Sequence, residues 1–179
     1  MKNESSSGPD QGRNIARKYM TFKLMKEEYG IEILKVRELI GLLEITRVPR
    51  VKPYIKGLIN LRGKVIPVVD LRVKFGMPAA EPTSQAVIIV VQLLGASGEV
   101  TLGLLVDEVL EVRSIGEADI EPPPNLPNDI DAAFIQGVGK SEKHVIFLLD
   151  IDRVLTTAER VEVSESEKRI NPLSEGERT

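Results

Sequence analysis

The residue types that usually carry out catalysis or bind metals are sparse in this chain and badly spaced for either task. His144 is the single histidine, and cysteine is absent. A histidine-based metal site needs several ligands, and a general base needs a partner that orients it. The acidic pairs Asp107-Glu108 and Asp150/Asp152 fall at strand ends and at a helix start, where solvation or capping is the expected role. We therefore predict a protein with no catalytic residues, no cofactor and no metal.

Two charged features on predicted surfaces could instead bind a partner. Arg62 lies in the run Asn60-Leu61-Arg62-Gly63, which predicts a hairpin tip. There its guanidinium could hold a partner's carboxylate through two hydrogen bonds, although an ordinary turn arginine explains the same pattern. The segment 36–40 predicts a strand that presents Arg37 or Glu38 between aliphatic residues, or simply a half-buried strand.

An internal repeat indicates the elements that position these residues. Residues 54–71 and 134–151 share an aromatic-Ile-x-Gly start, followed at equal distance by an apolar strand that ends in Asp and an aliphatic residue. Residues 30–38 and 103–111 show a weaker similarity of the same kind. Two copies of one β module predict a pair of similar small barrels rather than a solenoid.

The repeat and the composition divide the chain into four segments. We predict a disordered arm over residues 1–17, a first barrel module over 18–84, a second module with a closing helix over 85–160, and a disordered tail over 161–179. Neither a signal-peptide core nor a run long enough to cross a membrane is apparent, which favours a cytoplasmic protein without direct membrane insertion.

Charge is distributed unevenly between the modules. Residues 19–75 contain 12 basic and 6 acidic residues, whereas residues 76–158 contain 4 basic and 13 acidic residues. Such asymmetry is typical of binding surfaces. One interpretation is a nucleic-acid-binding barrel that uses the basic first module, with stacking partners available among Tyr19, Phe22, Tyr29 and Tyr54. The others are complementary docking between proteins and a dipolar surface without functional consequence.

Two runs in the first module resemble the CheW-type chemotaxis coupling proteins. They are EYGIEILKVRE at residues 28–38 and IKGLINLRGKVIPVVDLR at residues 55–72, and GLLVD at residues 103–107 matches the second-module signature. The resemblance covers about residues 18 to 158. It implies an all-β fold of two intertwined five-stranded SH3-like barrels with a short C-terminal helix. It also implies a non-catalytic adaptor, recruited to membrane receptor arrays, that joins the cytoplasmic tips of methyl-accepting chemoreceptors to the histidine kinase CheA.

The resemblance also implies two sets of binding residues. Val36, Glu38 and Arg62 match positions tied to receptor binding, and Ile33 and Val112 are candidates because they lie next to the same groove. The kinase's regulatory domain, built on the same fold, would pair module against opposite module. Its expected contacts are Glu121 and Leu126 in one loop. An aliphatic strand edge beside Gly41, with few charges to block it, adds Leu42, Leu43 and Ile45.

Overall fold

The computed structural model describes residues 16–95, 98–123 and 134–154 of the 179-residue chain. Almost all regular structure in this part is β. The strands are β1 Arg17–Leu24, β2 Glu27–Glu32, β3 Val36–Gly41, β4 Ile55–Leu61, β5 Lys64–Asp70, β6 Val87–Gly95, β7 Gly98–Val106, β8 Glu108–Ile115, β9 Ile120–Glu121, β10 Ile135–Ser141 and β11 His144–Leu149. A four-residue helix, α1, spans Leu71–Lys74, and short 3-10 helices span Ile33–Lys35, Glu117–Asp119 and Ile151–Arg153.

The strands form two sheets, and each sheet is assembled from both halves of the chain. Sheet one has the order β3-β6-β7-β5-β4, and sheet two has the order β8-β1-β2-β11-β10-β9. Neighbouring strands are antiparallel except for the parallel pairs β5–β7 and β2–β11. In sheet one, the bridge between Thr46 and Leu58 connects the segment after edge strand β3 to the other edge strand, β4. In sheet two, the segment after edge strand β8 likewise pairs with the opposite side of the sheet, through β9 and β10. The predicted all-β fold with intertwined units is confirmed.

The predicted boundary between residues 84 and 85 does not separate the two sheets. The β1–β2 hairpin of the first module lies in sheet two, and the β6–β7 hairpin of the second module lies in sheet one. The connections from β2 to β3 and from β7 to β8 are short, so each chain half passes directly from one sheet to the other. The predicted arm and tail lie outside the described residues, except that Arg17 already begins β1. Of the predicted closing helix, the first turn is the 3-10 helix Ile151–Arg153, and residues 155–160 are not described.

The internal repeat reappears as identical strand pairing. In the β4–β5 hairpin Ile55 lies opposite Val69 and the register shifts before Gly57; in the β10–β11 hairpin Ile135 lies opposite Leu149 and the register shifts before Gly137. Each hairpin ends in an aspartate whose carboxylate accepts backbone N–H bonds from the next turn, as the sequence pattern predicts for Asp70 and Asp150.

A shared core joins the two sheets. The largest apolar cluster combines fully buried residues of sheet two, such as Phe22 and Ile31, with fully buried residues of sheet one, such as Ile89 and Leu104. Aromatic rings extend this cluster, and Tyr29 packs against Phe22 with ring centroids 5.9 Å apart. Because the sheets bury their apolar faces against each other, neither is expected to be stable alone.

Candidate partner-binding surfaces

Arg62 occupies the tip of the β4–β5 hairpin, where the sequence places it. Its φ is +52° and that of Gly63 is +84°, the backbone of a two-residue turn that matches the twist of the strands. The Asn60 side-chain oxygen accepts a hydrogen bond of 2.8 Å from the Gly63 N–H and holds the turn. The Arg62 side chain is 74% exposed, so its guanidinium is presented to solvent rather than to the core.

Glu38 lies in β3 and forms an ion pair with Arg62 across the surface of sheet one. The structure thus brings together two of the residues predicted to bind a receptor. The sequence predicts a partner's carboxylate for Arg62, and in the free chain Glu38 supplies one. Exposed ion pairs contribute about 0–1 kcal/mol to stability, so the pair is not needed to hold the fold.

The other residues predicted to bind a receptor occupy different surroundings. Val36 and Ile33 are half-buried and pack against the main apolar cluster. Val112 lies in β8 of sheet two, is 47% exposed and faces Met20 across the strand pair.

The repeat gives Val112 a counterpart in sheet one. β8 pairs with β1 in the way that β3 pairs with β6, and Leu39 of β3 occupies the position that corresponds to Val112. Leu39 is 42% exposed, so each sheet carries one large apolar side chain at this position. Sequence reasoning missed Leu39, although the constant spacing of 30–38 to 103–111, extended by one residue, would have found it.

The residues predicted to bind the kinase, where the structure describes them, follow the corresponding edge strands β3 and β8. Leu42 and Leu43, after β3, are both 42% exposed. Ile45 is half-buried against the second apolar cluster and lies beside Gly57. Sheet two repeats this contact, since Ile120 lies beside Gly137.

Glu121 follows Ile120, is exposed, and forms an ion pair with Lys140. This contact raises the pKa of Lys140 above its usual value, chiefly through the hydrogen bond to the Glu121 carboxylate. Leu126 lies outside the described residues.

Two further ion pairs, which the sequence did not indicate, lie at the ends of the parallel strand pairs. Arg72 donates from Nε to Asp107 Oδ1 at 2.6 Å, and Lys35 Nζ lies 3.0 Å from Asp152 Oδ2. The Asp107 carboxylate raises the pKa of Arg72, mainly through this hydrogen bond. Both pairs are largely shielded, with side-chain exposures of 22% to 30%.

Side chains that could bind a metal ion are not clustered among residues 16–95, 98–123 and 134–154. No group of three or more histidines or carboxylates there could hold a metal ion. His144 is exposed and borders an open groove of about 490 Å³ that Arg113, Ser141 and Lys143 also line. In the part of the chain that the structure describes, no helix has the length and apolarity needed to cross a membrane.

The aromatic residues considered for nucleic-acid stacking are all in the core. Tyr19 and Phe22 have no exposed surface, and Tyr29 and Tyr54 are 7% and 8% exposed. A base cannot stack on rings that the protein already covers. The nucleic-acid interpretation therefore has no structural support.

Comparison with known proteins gives one consistent result. The family model of the CheW-like domain matches residues 18–159. A chemotaxis protein CheW from Rhizobium meliloti (strain 1021) is 37% identical over 147 residues, which cover 82% of this chain and 92% of that protein. A chemotaxis protein CheW from Bacillus subtilis (strain 168) is 35% identical over 139 residues, or 77% of this chain and 86% of that protein. The crystal structure of the scaffolding protein TtCheW from Thermoanaerobacter tengcongensis superposes with a TM-score of 0.72 and 36% identity, covering 81% of this chain and 96% of that one.

Proposed function

The chain belongs to the CheW-like family and is a chemotaxis adaptor, and from this we propose that it joins the cytoplasmic tips of chemoreceptors to the histidine kinase CheA. It works as a scaffold in the cytoplasm, bound to receptor arrays at the membrane, and performs no catalysis. The exposed Arg62–Glu38 pair is the observation that carries the proposal.

That pair supports a receptor contact because folding does not require it. Arg62 is held at a hairpin tip in a backbone conformation that costs a non-glycine residue about 1 kcal/mol. Its side chain is 74% exposed, so it stabilises the free chain very little in return. Because Glu38 already orients it, the Arg62 guanidinium is available for a further contact that forms only in the complex. On binding, a receptor carboxylate takes one edge of the Arg62 guanidinium while Glu38 keeps the other.

Ile33, Val36 and Val112 complete the proposed receptor site with apolar surface. Val112 and Leu39 occupy corresponding positions on the two edge strands, so each sheet presents one exposed aliphatic side chain there. Apolar contacts of this kind, framed by a charged pair at the rim, are typical of helix-in-groove recognition.

The proposed kinase contacts that the structure describes follow two corresponding edge strands. Leu42, Leu43 and Ile45 follow β3 in sheet one, and Glu121 follows β8 in sheet two; Leu126 is a further proposed contact outside the described residues. A regulatory domain of the same fold could therefore engage either end of this chain with similar geometry, which is the arrangement that closes rings. Exposed leucines on the sheet-one surface supply the apolar area that such a contact needs.

The experiment is reconstitution of receptor cytoplasmic fragment, kinase and this chain, with kinase autophosphorylation and pull-down as readouts. Arg62→Ala should reduce receptor-dependent kinase activation about tenfold or more, because truncating a desolvated arginine at an interface costs about 2 kcal/mol. Arg62→Lys should recover only part, since an ammonium lacks the planar fork. Thermal stability should change little in both variants.

Arg50→Ala is the matched control for Arg62, because Arg50 is also an exposed arginine with positive φ. It should signal normally. Leu42→Asp should weaken kinase pull-down, whereas Met25→Asp, an exposed apolar residue in the β1–β2 turn, should not. Normal signalling by Arg62→Ala together with normal kinase capture by Leu42→Asp would overturn both assignments.

A further inference from the structure

The two strand-end ion pairs, Arg72–Asp107 and Lys35–Asp152, are arranged with opposite polarity. Arg72 follows β5 and meets Asp107, which follows the parallel neighbour β7. Asp152 follows β11 and meets Lys35, which follows the parallel neighbour β2. The residue after the β4–β5 hairpin is thus a cation, and the residue at the same place after the β10–β11 hairpin is an anion.

The sign of the charge depends on the half of the chain that carries it, and the strand exchange brings the two halves together. In the first half Lys35 follows the β1–β2 hairpin and Arg72 follows the β4–β5 hairpin, so the side chain that forms the ion pair after each hairpin is cationic. In the second half Asp107 and Asp152 follow the corresponding hairpins, so the side chain that forms each ion pair is anionic. Pairing unlike halves places opposite charges together. Pairing like halves would place lysine against arginine and aspartate against aspartate.

Like halves cannot pair within one chain for a separate reason. If the β1–β2 hairpin joined the sheet of its own half, β2 and β3 would run in the same direction within one sheet. Such a connection needs about a dozen residues, but only Ile33–Lys35 link β2 to β3, and Asp107 alone links β7 to β8. Pairing of like halves can therefore occur only between two copies of the chain.

We propose that Lys35, Arg72, Asp107 and Asp152 act together as a charge pattern that prevents like halves of two copies from exchanging hairpins and selects the unlike half. Like charges brought together in a partly shielded site repel, and this favours the observed pairing over an intermolecular one. The charge pattern acts during folding, when strands of the two halves first pair, and it does not depend on the function proposed above.

The two aspartates also accept backbone hydrogen bonds, which limits how much stability can be recovered when the charges of all four residues are reversed. Asp107 accepts a hydrogen bond of 2.6 Å from the Met25 N–H, and Asp152 accepts one of 3.2 Å from the Leu94 N–H. Arginine at either position keeps the ion pair with a reversed partner but offers no acceptor to these amides. Charge reversal of all four residues should therefore restore pairing while leaving stability somewhat below that of the parent.

Because the chain has no cysteine, disulfide reporters can distinguish the two pairings. Lys18 lies opposite Ser114 in the β1–β8 pair, so Lys18→Cys with Ser114→Cys reports unlike halves as a monomeric disulfide. Gly41 holds the place in β3 that Ser114 holds in β8, and a Cβ there meets nothing within 4 Å. Lys18→Cys with Gly41→Cys therefore reports like halves, and only as a disulfide-linked dimer.

The test refolds each reporter from denaturant at low concentration under oxidising conditions and measures products by non-reducing gel and light scattering. In the double variant Arg72→Asp/Asp152→Arg, attraction becomes repulsion at both strand ends and like halves become complementary, with no change in net charge. The like-half dimer should increase about tenfold over the parent. The fourfold variant, with Lys35→Asp and Asp107→Arg added, should return to monomer. Arg50→Asp/Glu117→Arg, the same charge change at exposed residues that belong to neither ion pair, should stay monomeric.

Two results would overturn the proposal. The first is a double variant that refolds to the parent's monomer with the parent's disulfide yields. The second is a fourfold variant that recovers no monomer relative to the double variant. A double variant that fails to fold leaves the decision to the fourfold variant, whose own failure also counts against the charge pattern.

Discussion

Gly57 is the residue at which one added methyl group should do most damage to the proposed kinase surface. A Cβ at this position would lie 2.3 Å from the Thr46 carbonyl oxygen and 2.7 Å from Ile45 Cγ2. Its φ of +150° is also a conformation that side chains rarely adopt. Because the nearest atom belongs to the backbone, Gly57→Ala can be accommodated only if the segment 45–46 moves away.

The cost can be estimated from the contacts that this movement breaks. The Thr46 and Leu58 main chains exchange two hydrogen bonds of 2.8 Å, each worth about 1 kcal/mol. Strain at the positive φ adds about 1–2 kcal/mol. We therefore expect Gly57→Ala to lower the free energy of unfolding by about 3–4 kcal/mol, which is a decrease in Tm of about 10 °C for a domain of this size.

Thermal and urea unfolding measure the stability change, and kinase pull-down measures the effect on Leu42, Leu43 and Ile45. Gly41→Ala is the matched control, since Gly41 lies in β3 of the same sheet with open space around a Cβ, and it should change stability by less than about 0.5 kcal/mol. A Gly57→Ala variant that melts within about 2 °C of the parent would show that the segment 45–46 is not held against β4 as described.

Two further predictions test buried polar groups. Thr21→Val should cost about 1–3 kcal/mol in urea unfolding, because the buried hydroxyl donates to the Glu111 carbonyl at 2.7 Å and accepts from the Glu111 N–H at 3.2 Å; a cost below about 0.5 kcal/mol would contradict it. Burial raises the pKa of Tyr29 to about 12, so its phenol stabilises the fold fully below pH 10 and less as the pH rises from about 10 to about 12. Tyr29→Phe should flatten this alkaline loss of stability, and an unchanged slope would refute the assignment.

The amino-acid sequence determined the local elements and the existence of a repeat. Alternating apolar residues and the aromatic-Ile-x-Gly start are short-range signals. They predicted the β4–β5 hairpin with Arg62 at its turn, the two strands of the repeat that correspond to it, and the aspartates that end both segments. The absence of cysteine and the single histidine likewise favoured a binding protein over an enzyme. Family resemblance then indicated Glu38 and Arg62 as a pair of functional residues, although nothing local indicated that they touch.

Tertiary structure decided which strands share a sheet. The sequence alone assigns consecutive strands to one module. The connections after β2 and β7 are too short to cross a sheet, so the first hairpin of each half lies in the sheet of the other half. This exchange creates the ion pairs of Arg72 with Asp107 and of Lys35 with Asp152, whereas the Arg62–Glu38 pair forms between distant residues within the first half. Charge sign is visible in the sequence, but which charges meet depends on strand order, which only the folded chain fixes.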